Sequence, residues 1–197
     1  NIFMSSATDP YQPIERNAKV TRGLLEAMLE YPPDFIQIQT RGPLVKRDID
    51  LLSQLKEVCQ VLVSITIETD REDVKRIFAP YAPGIKIRLQ ALKEVHEAGI
   101  GTQASISPVL PFTRNFPSAL EGIVDHIWVD TLTIGDGAMG KGSNRLGRPK
   151  LFREHGIDKW YDLNLHTKVE KYFKKFFPSD MVRVSKDEAF PLEMKRN

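Results

Sequence analysis

The sequence predicts an α/β fold built on an open parallel sheet, with about five strands in its first two thirds. Three observations carry that prediction. Short apolar segments alternate with amphipathic helical ones at intervals of about 25–40 residues, the rhythm of βα units with right-handed crossovers. The alternation repeats five times between Ile2 and Ile134. Each apolar segment ends on polar side chains, the end at which parallel α/β folds place their ligands. Five strands are too few to close an eight-stranded barrel, so an open sheet or partial barrel is expected.

The elements follow in order. Residues 2–4 form a short apolar strand that runs into 5–15, where small hydroxyls, an Asp-Pro turn and Tyr11 add nothing to a core. Residues 17–30 place Val20, Leu24, Ala27 and Met28 at helical spacing, predicting one amphipathic helix with that stripe inward. Tyr31, Pro32 and Pro33 stop it. A strand over 35–39 ends at Thr40, Arg41 and Gly42, and a helix over 48–58 turns Ile49, Leu51, Leu52 and Leu55 inward. Residues 61–67 are rich in β-branched side chains and read as a strand leading to Glu68. A short helix over 71–79 is closed by Pro80, and a longer one over 85–98 ends at Gly99, a left-handed cap. Residues 102–107 alternate as a strand, 116–123 form a short helix, and 127–134 form the last clear strand, carrying Asp130, Thr131 and Thr133. From Gly135 the rhythm stops. A Gly-rich basic loop, short helical pieces, an aromatic helix over 165–177 and a candidate edge strand over 181–184 follow. The expected division is a sheet domain over 1–134 and, over 135–197, an extension packed on it rather than a second domain.

Composition bounds the function. The chain of 197 residues, 41% hydrophobic and 27% charged, fits one ordinary globular domain. A single cysteine, Cys59, excludes an internal disulfide framework and any Cys-based metal cluster built from this chain alone. It reads as a small core residue at the start of a strand. The longest apolar run, 58–67, is too short and polar to cross a bilayer, and no signal peptide is visible, so a cytoplasmic protein without a membrane partner is expected. Net charge is +2 but unevenly spread: residues 141–197 hold 14 Lys/Arg against 8 Asp/Glu, residues 1–140 hold 14 against 18. Solvated helix faces explain such a basic region by default. The functional alternative is a nucleic acid, met by Lys141, Arg145, Arg148 and Lys150 with Phe152, Trp160 and Tyr161 for stacking.

Residues 135–141 match the Gly-x4-Gly-Lys part of a phosphate-binding loop, yet Gly142 stands where magnesium needs Ser or Thr, and 144–149 is a poor helix start. A lid over the strand ends is the better reading. His96, His126, His155 and His166 lack zinc spacing, no lysine ends a strand, and no nucleophile elbow is present. What remains is the series of strand ends: Ser6, Thr8 and Asp9; Thr40 and Arg41; Ser64 and Glu68; Ser105 and Ser107; Asp130 and Thr133. Any one pair is explained by capping or turns. Five in series point to one ligand site. Glu68 suits a general base or a partner for a ribose diol, and the hydroxyls around it favour the diol. The site is expected to hold a nucleoside-like ligand without an acid–base pair of its own.

The stretches SSATDPYQPIE, IQTRGPLVKRDIDLL, VSITIETD and RLQALKEVHEAGIGTQASISPVLP, in that order, resemble radical S-adenosylmethionine proteins of the group related to spore photoproduct lyase. The resemblance spans 1–140, and IGDGAMGKGSNRLG and VEKYFKKFFP fit the same group. It implies a partial (β/α)6 barrel. There a 4Fe–4S cluster on a Cys-x3-Cys-x2-Cys loop, fed by an electron donor, reductively cleaves S-adenosylmethionine to a 5′-deoxyadenosyl radical. That loop would precede Asn1, so the expectation is an N-terminally truncated piece, inactive alone, whose cluster belongs only to a longer form. Carried over residue by residue, Ser6, Thr8 and Asp9 would face the methionyl amino and carboxylate groups, and Arg41 the carboxylate. Ser64 would lie near the methionyl moiety, Glu68 would take the ribose hydroxyls, and Ile106 with the 107–109 backbone would pack on adenine. Ser6 stands where the lyase carries its hydrogen-donor cysteine, so a reaction other than thymine-dimer repair is expected. The alternatives are a nucleic-acid-binding module without catalysis and a phosphosugar-binding barrel enzyme with phosphate near 135–141.

Overall fold

Six strands pair in parallel in the order of the chain: β1 (Ile2–Met4), β2 (Phe35–Thr40), β3 (Gln60–Thr66), β4 (Gly101–Ile106), β5 (His126–Val129) and β6 (Val182–Val184). A computed structural model describes residues 1–5, 8–135 and 138–185. Strictly sequential order, without the reversal that marks doubly wound sheets, is the topology of a (β/α) barrel left open. The expected partial barrel is therefore present, with one strand more than the five clear ones: β6, from the extension, pairs with β5 through Ile127↔Val182 and Val129↔Val184.

Parallel register puts paired residues on the same face, and the two faces differ sharply in chemistry. One face carries Ile36 and Val61, then Ile38 and Val63, then Ile65, Ala104, Ile127 and Val182, then Ile106, Val129 and Val184. These residues form the main core. The helices α3 (Ile49–Leu55), α5 (Ile85–Glu97) and α8 (Leu165–Phe173) pack on the strands and share that core through Leu52, Leu92 and Phe173. The other, concave face carries Gln37 beside Leu62, a row of Gln39, Ser64, Gln103 and His126, and a row of Thr66, Ser105, Trp128 and Arg183.

Several local expectations are corrected. The helix read over 17–30 is two, α1 (Glu15–Ala18) and α2 (Val20–Glu30), because Lys19 takes a left-handed φ of 52° between them. The buried stripe of α2 lies one position on from the expected one: Thr21 and Leu25 are buried, whereas Val20 and Leu24 are 63% and 47% exposed. A hydrogen bond from Thr21 Oγ1 to the Pro10 carbonyl, 2.6 Å, holds α2 in that rotation. The helix expected over 48–58 is a 3-10 turn over Pro43–Asp48 followed by α3, with Leu51, Leu52 and Leu55 buried as read. β5 stops at Val129, and Leu132–Gly135 are turns; 116–123 holds only a 3-10 turn over Pro117–Ala119. The helix expected over 71–79 is α4 (Glu72–Phe78).

In the extension, α6 (Lys141–Arg145) precedes α7 (Arg148–Glu154), and α7 starts within 144–149, where a poor helix start is expected. Gly147, at φ 70°, turns the chain into α7, and Pro149 sits in its first turn, where no intrahelical N–H bond is lost. Within the loop over 135–141, Asp136 and Gly137 lie outside the described residues. Among the described residues no helix is long and apolar enough to cross a membrane.

Candidate functional site

A belt of hydrogen bonds joins the carboxyl ends of all six strands. It begins in the loop after β1. Asp9 Oδ1 accepts from Thr40 Oγ1 at 2.6 Å and from the Tyr11 amide at 2.8 Å, and Oδ2 accepts from the Arg41 amide at 2.8 Å. The two loops touch backbone to backbone, because Gly42 leaves room: a Cβ there would come within 2.5 Å of the Tyr11 carbonyl oxygen. Arg41 then reaches across β3 and β4. Its Nε donates to Glu68 Oε1 at 2.6 Å, and its Nη2 lies 3.5 Å from the Ser107 carbonyl oxygen. Ser107 Oγ donates to Asp130 Oδ2 at 3.2 Å. Asp130 Oδ1 accepts from the Thr131 amide at 2.8 Å and from Ser185 Oγ, just past β6, at 2.7 Å. Gly135 packs directly on the Asp130 carboxylate, where no Cβ would fit.

Beneath the belt stands Arg88, a fully buried side chain on α5. Its Nη1 donates to Glu68 Oε2 at 2.7 Å and to the Thr66 carbonyl at 2.6 Å. Its Nε and Nη2 have no partner among the described residues. Glu68, 2% exposed, is thus gripped from both sides by guanidinium groups. Burial alone would raise its carboxyl; the charges of Arg88 and then Arg41 outweigh burial and hold it below the usual carboxylate range. Glu68 is therefore a fixed anion and a poor proton acceptor. The consequence for Arg41 is orientation: one edge of its guanidinium is tied down while the side chain stays 42% exposed. Such a group suits a carboxylate or phosphate. A groove of about 1240 Å³ opens at Arg41, between the Asp9–Tyr11 stretch and the 80–83 turn.

Asp9, Arg41 and Glu68 come together, but the two carboxylates are spent on placing Arg41. Thr8 is exposed and accepts a hydrogen bond from Gln12 Nε2. Ser64 is fully buried on the concave face, accepting from Gln103 Nε2 at 2.9 Å. Ile106 shares a face with Ala104 and Val129 and is fully buried in the main core. Ser6 lies outside the described residues.

Of the concave face, the strand-end series includes Ser64 and Ser105 but not Gln37 or Gln103. Three buried atoms of that face, Gln37 Oε1, Ser105 Oγ and His126 Nδ1, have no hydrogen-bond partner among the described residues. Buried polar groups are nearly always paired, so these mark unfilled hydrogen-bonding capacity below the strand ends. The I-Q-I-Q alternation of β2 and the matching Gln103 and Ser105 of β4 are the signals that announce it. Arg88 was announced too, as a charged residue at a core position of the Ile85, Leu92 and Val95 stripe.

An iron–sulfur cluster does not fit the residues present. Cys59 stands half-buried before β3, at the amino end of the strands, and burial pushes its thiol up. Among the described residues no group of three His, Cys, Asp or Glu is placed to hold a metal ion. Of the basic residues expected to meet nucleic acid, Lys141 and Arg145 lie on α6, and Arg148 and Lys150 on α7. Phe152 is fully buried against Phe78 and Tyr161, so it is not available for stacking on a base.

No family model matches the sequence. An uncharacterized protein of Methanocaldococcus jannaschii is 36% identical over 110 residues, 56% of this chain and 40% of that protein. One of Acidianus two-tailed virus is 37% identical over 110 residues, 56% and 35% of the two chains. One of Mycobacterium bovis is 24% identical over 126 residues, 64% and 37%. The matches span well under half the length of these curated relatives. Among solved structures, a spore photoproduct lyase double mutant with bound S-adenosylmethionine and dinucleoside spore photoproduct superposes with a TM-score of 0.58. It covers 92% of this chain and 59% of the lyase at 14% identity. At that identity the likeness is one of fold.

Proposed function

We propose that this chain holds S-adenosylmethionine at the carboxyl ends of its strands, as the barrel portion of a radical S-adenosylmethionine enzyme. The observation that carries the reading is Arg41, half-exposed and oriented by Glu68 at the mouth of an open barrel. Its fold is that of a lyase known with S-adenosylmethionine bound. In this reading Arg41 takes the methionyl carboxylate. Asp9 acts indirectly, by fixing the Arg41 backbone, and Glu68 acts by fixing its guanidinium. The nucleoside end lies toward the concave face, where Ser105 Oγ and the acceptor Gln37 Oε1 have no hydrogen-bond partner among the described residues. Enzymes of this class use a 4Fe–4S cluster to cleave the cofactor reductively. The described residues supply no ligand set for one, so this chain's part is binding and orientation.

Titration calorimetry with S-adenosylmethionine, repeated with S-adenosylhomocysteine, tests the reading. Both are expected to bind, since the carboxylate and adenosine ends are shared, and Arg41→Met is expected to weaken both by about tenfold or more. Absence of binding, or equal affinity in Arg41→Met, overturns it.

A further inference from the structure

A second concavity lies where the loop after β4 meets the extension, a cleft of about 460 Å³. Its wall is aromatic. Phe112 stands 5.0 Å from Trp160 and 6.0 Å from Tyr172, centroid to centroid, and all three are only partly buried. Beneath them Phe173 contacts Phe112 at 5.8 Å and Phe116 at 5.8 Å, so the rings stand on a packed floor. The rim is cationic: Arg114, Lys159 and Lys168 line the cleft, and no Asp or Glu does. Arg114 and Lys159 are exposed and make no ion pair among the described residues, whereas Lys168 pairs with Asp162. Lys171 follows Lys168 by one turn of α8, and Lys175 Nζ lies 5.9 Å from the Tyr172 ring.

The cleft is also braced. Tyr172 OH donates to the Arg114 carbonyl at 2.9 Å, and the Thr113 amide donates to Asp70 Oδ1 at 2.8 Å. These bonds tie the Phe112–Arg114 loop to α8 on one side and to the end of β3 on the other. A braced aromatic wall with the cations Arg114 and Lys159, unpaired among the described residues, at its lip is complementary to a planar, π-faced group carrying negative charge on a flexible tether. An unstacked base with its neighbouring phosphates has that chemistry, and duplex bases, stacked and paired, do not reach into a recess.

We infer that this cleft binds single-stranded nucleic acid, one base stacking on the aromatic wall formed by Phe112, Trp160 and Tyr172 while Arg114 and Lys159 meet the adjoining phosphates. The residues differ from those of the cofactor reading, so either can fail without the other. They also differ from the α6 and α7 cations that the sequence singled out.

The test is fluorescence anisotropy of the full chain with a labelled oligothymidylate of about 12 nucleotides. Binding is expected to weaken with salt and to exceed that of a duplex of equal length by about tenfold or more. Arg114→Glu with Lys159→Glu is expected to lower affinity about tenfold or more and to flatten the salt dependence by about 1.4 in log–log slope. Lys86→Glu with Lys93→Glu, the same charge change on α5, leaves it intact. Trp160→Leu, its fold checked by circular dichroism, should weaken binding and remove the quench of tryptophan emission on adding oligonucleotide. Duplex bound as tightly as single strand, polyglutamate competing equally well, or affinity unchanged in Arg114→Glu/Lys159→Glu overturns the inference. So does loss confined to Lys141→Glu/Arg145→Glu.

Discussion

The two faces of the sheet are made by the same strands and do opposite work. On one face of β2, β3 and β4, Ile36, Ile38, Val61, Val63, Ile65, Ala104 and Ile106 join the helices in one core. The residues between them, Gln37, Ser64, Thr66, Gln103 and Ser105, are polar yet equally buried. Burying an aliphatic face stabilises by about 25 cal/mol per Å², whereas burying an unpaired polar atom costs about 1–3 kcal/mol. A fold needs the first face. The second persists at a cost, and unfilled acceptors there are what a ligand would fill. Arg88 is the point where the two meet, a side chain from the helix layer that ends on Glu68 at the strand mouth.

The largest expected effect cuts that link. Arg88→Met leaves Glu68 buried with only Arg41 for a partner, and should cost about 3–5 kcal/mol in urea unfolding. It should also weaken S-adenosylmethionine binding through a displaced Arg41. Next comes a direct contrast along neighbouring strands. Ile65→Ala, on the helix face, should cost about 2–5 kcal/mol. Ser105→Ala, which removes an unpartnered oxygen, should change stability by less than about 0.5 kcal/mol while lowering ligand affinity. Equal destabilisation by the two would erase the distinction between the faces. The smallest effect is acid sensitivity. The folded state holds the Glu68 carboxyl below its ordinary value of 4.5, so its contribution is complete above that pH and is lost as pH falls through the lower folded value. The stability gap between the native chain and Glu68→Gln should therefore narrow between about pH 5 and pH 3; a constant gap would show that the carboxylate is not gripped as an anion.

Much of this could be read from the chain. β3 was legible because Val61, Val63, Ile65 and Ile67 are β-branched and bounded by polar residues, and the strand ends were legible as a series. What could not be read is rotation. Val20 with Leu24 and Thr21 with Leu25 are both spaced for a helix, and the choice between them rests on distant partners: the Pro10 carbonyl for Thr21, Asp48 and Asp50 for Arg22, and the core for Leu25. The face that Ile106 occupies was legible, since alternation from Ala104 already sets it on the helix side. Roles within the site were less legible than membership. Asp9 and Glu68 belong to it, but a carboxylate that binds a ligand and one that positions an arginine look the same until their partners are in view.

The contact at Gly42 has a consequence for how this barrel can vary. With Asp9 bonded to the Arg41 amide and the Tyr11 backbone pressed on Gly42, the first two loops are a single mechanical part made from two distant stretches of chain. Arg41 cannot be re-aimed by changing its own loop alone, and the first loop cannot be exchanged without moving Arg41. A graft that carries 40–42 into another barrel must carry Asp9 and Tyr11 with it. Divergence at this mouth is thereby channelled toward the other rim, where the loop after β4 meets the extension and reaches the second loop through the longer Arg41–Ser107 contact of 3.5 Å.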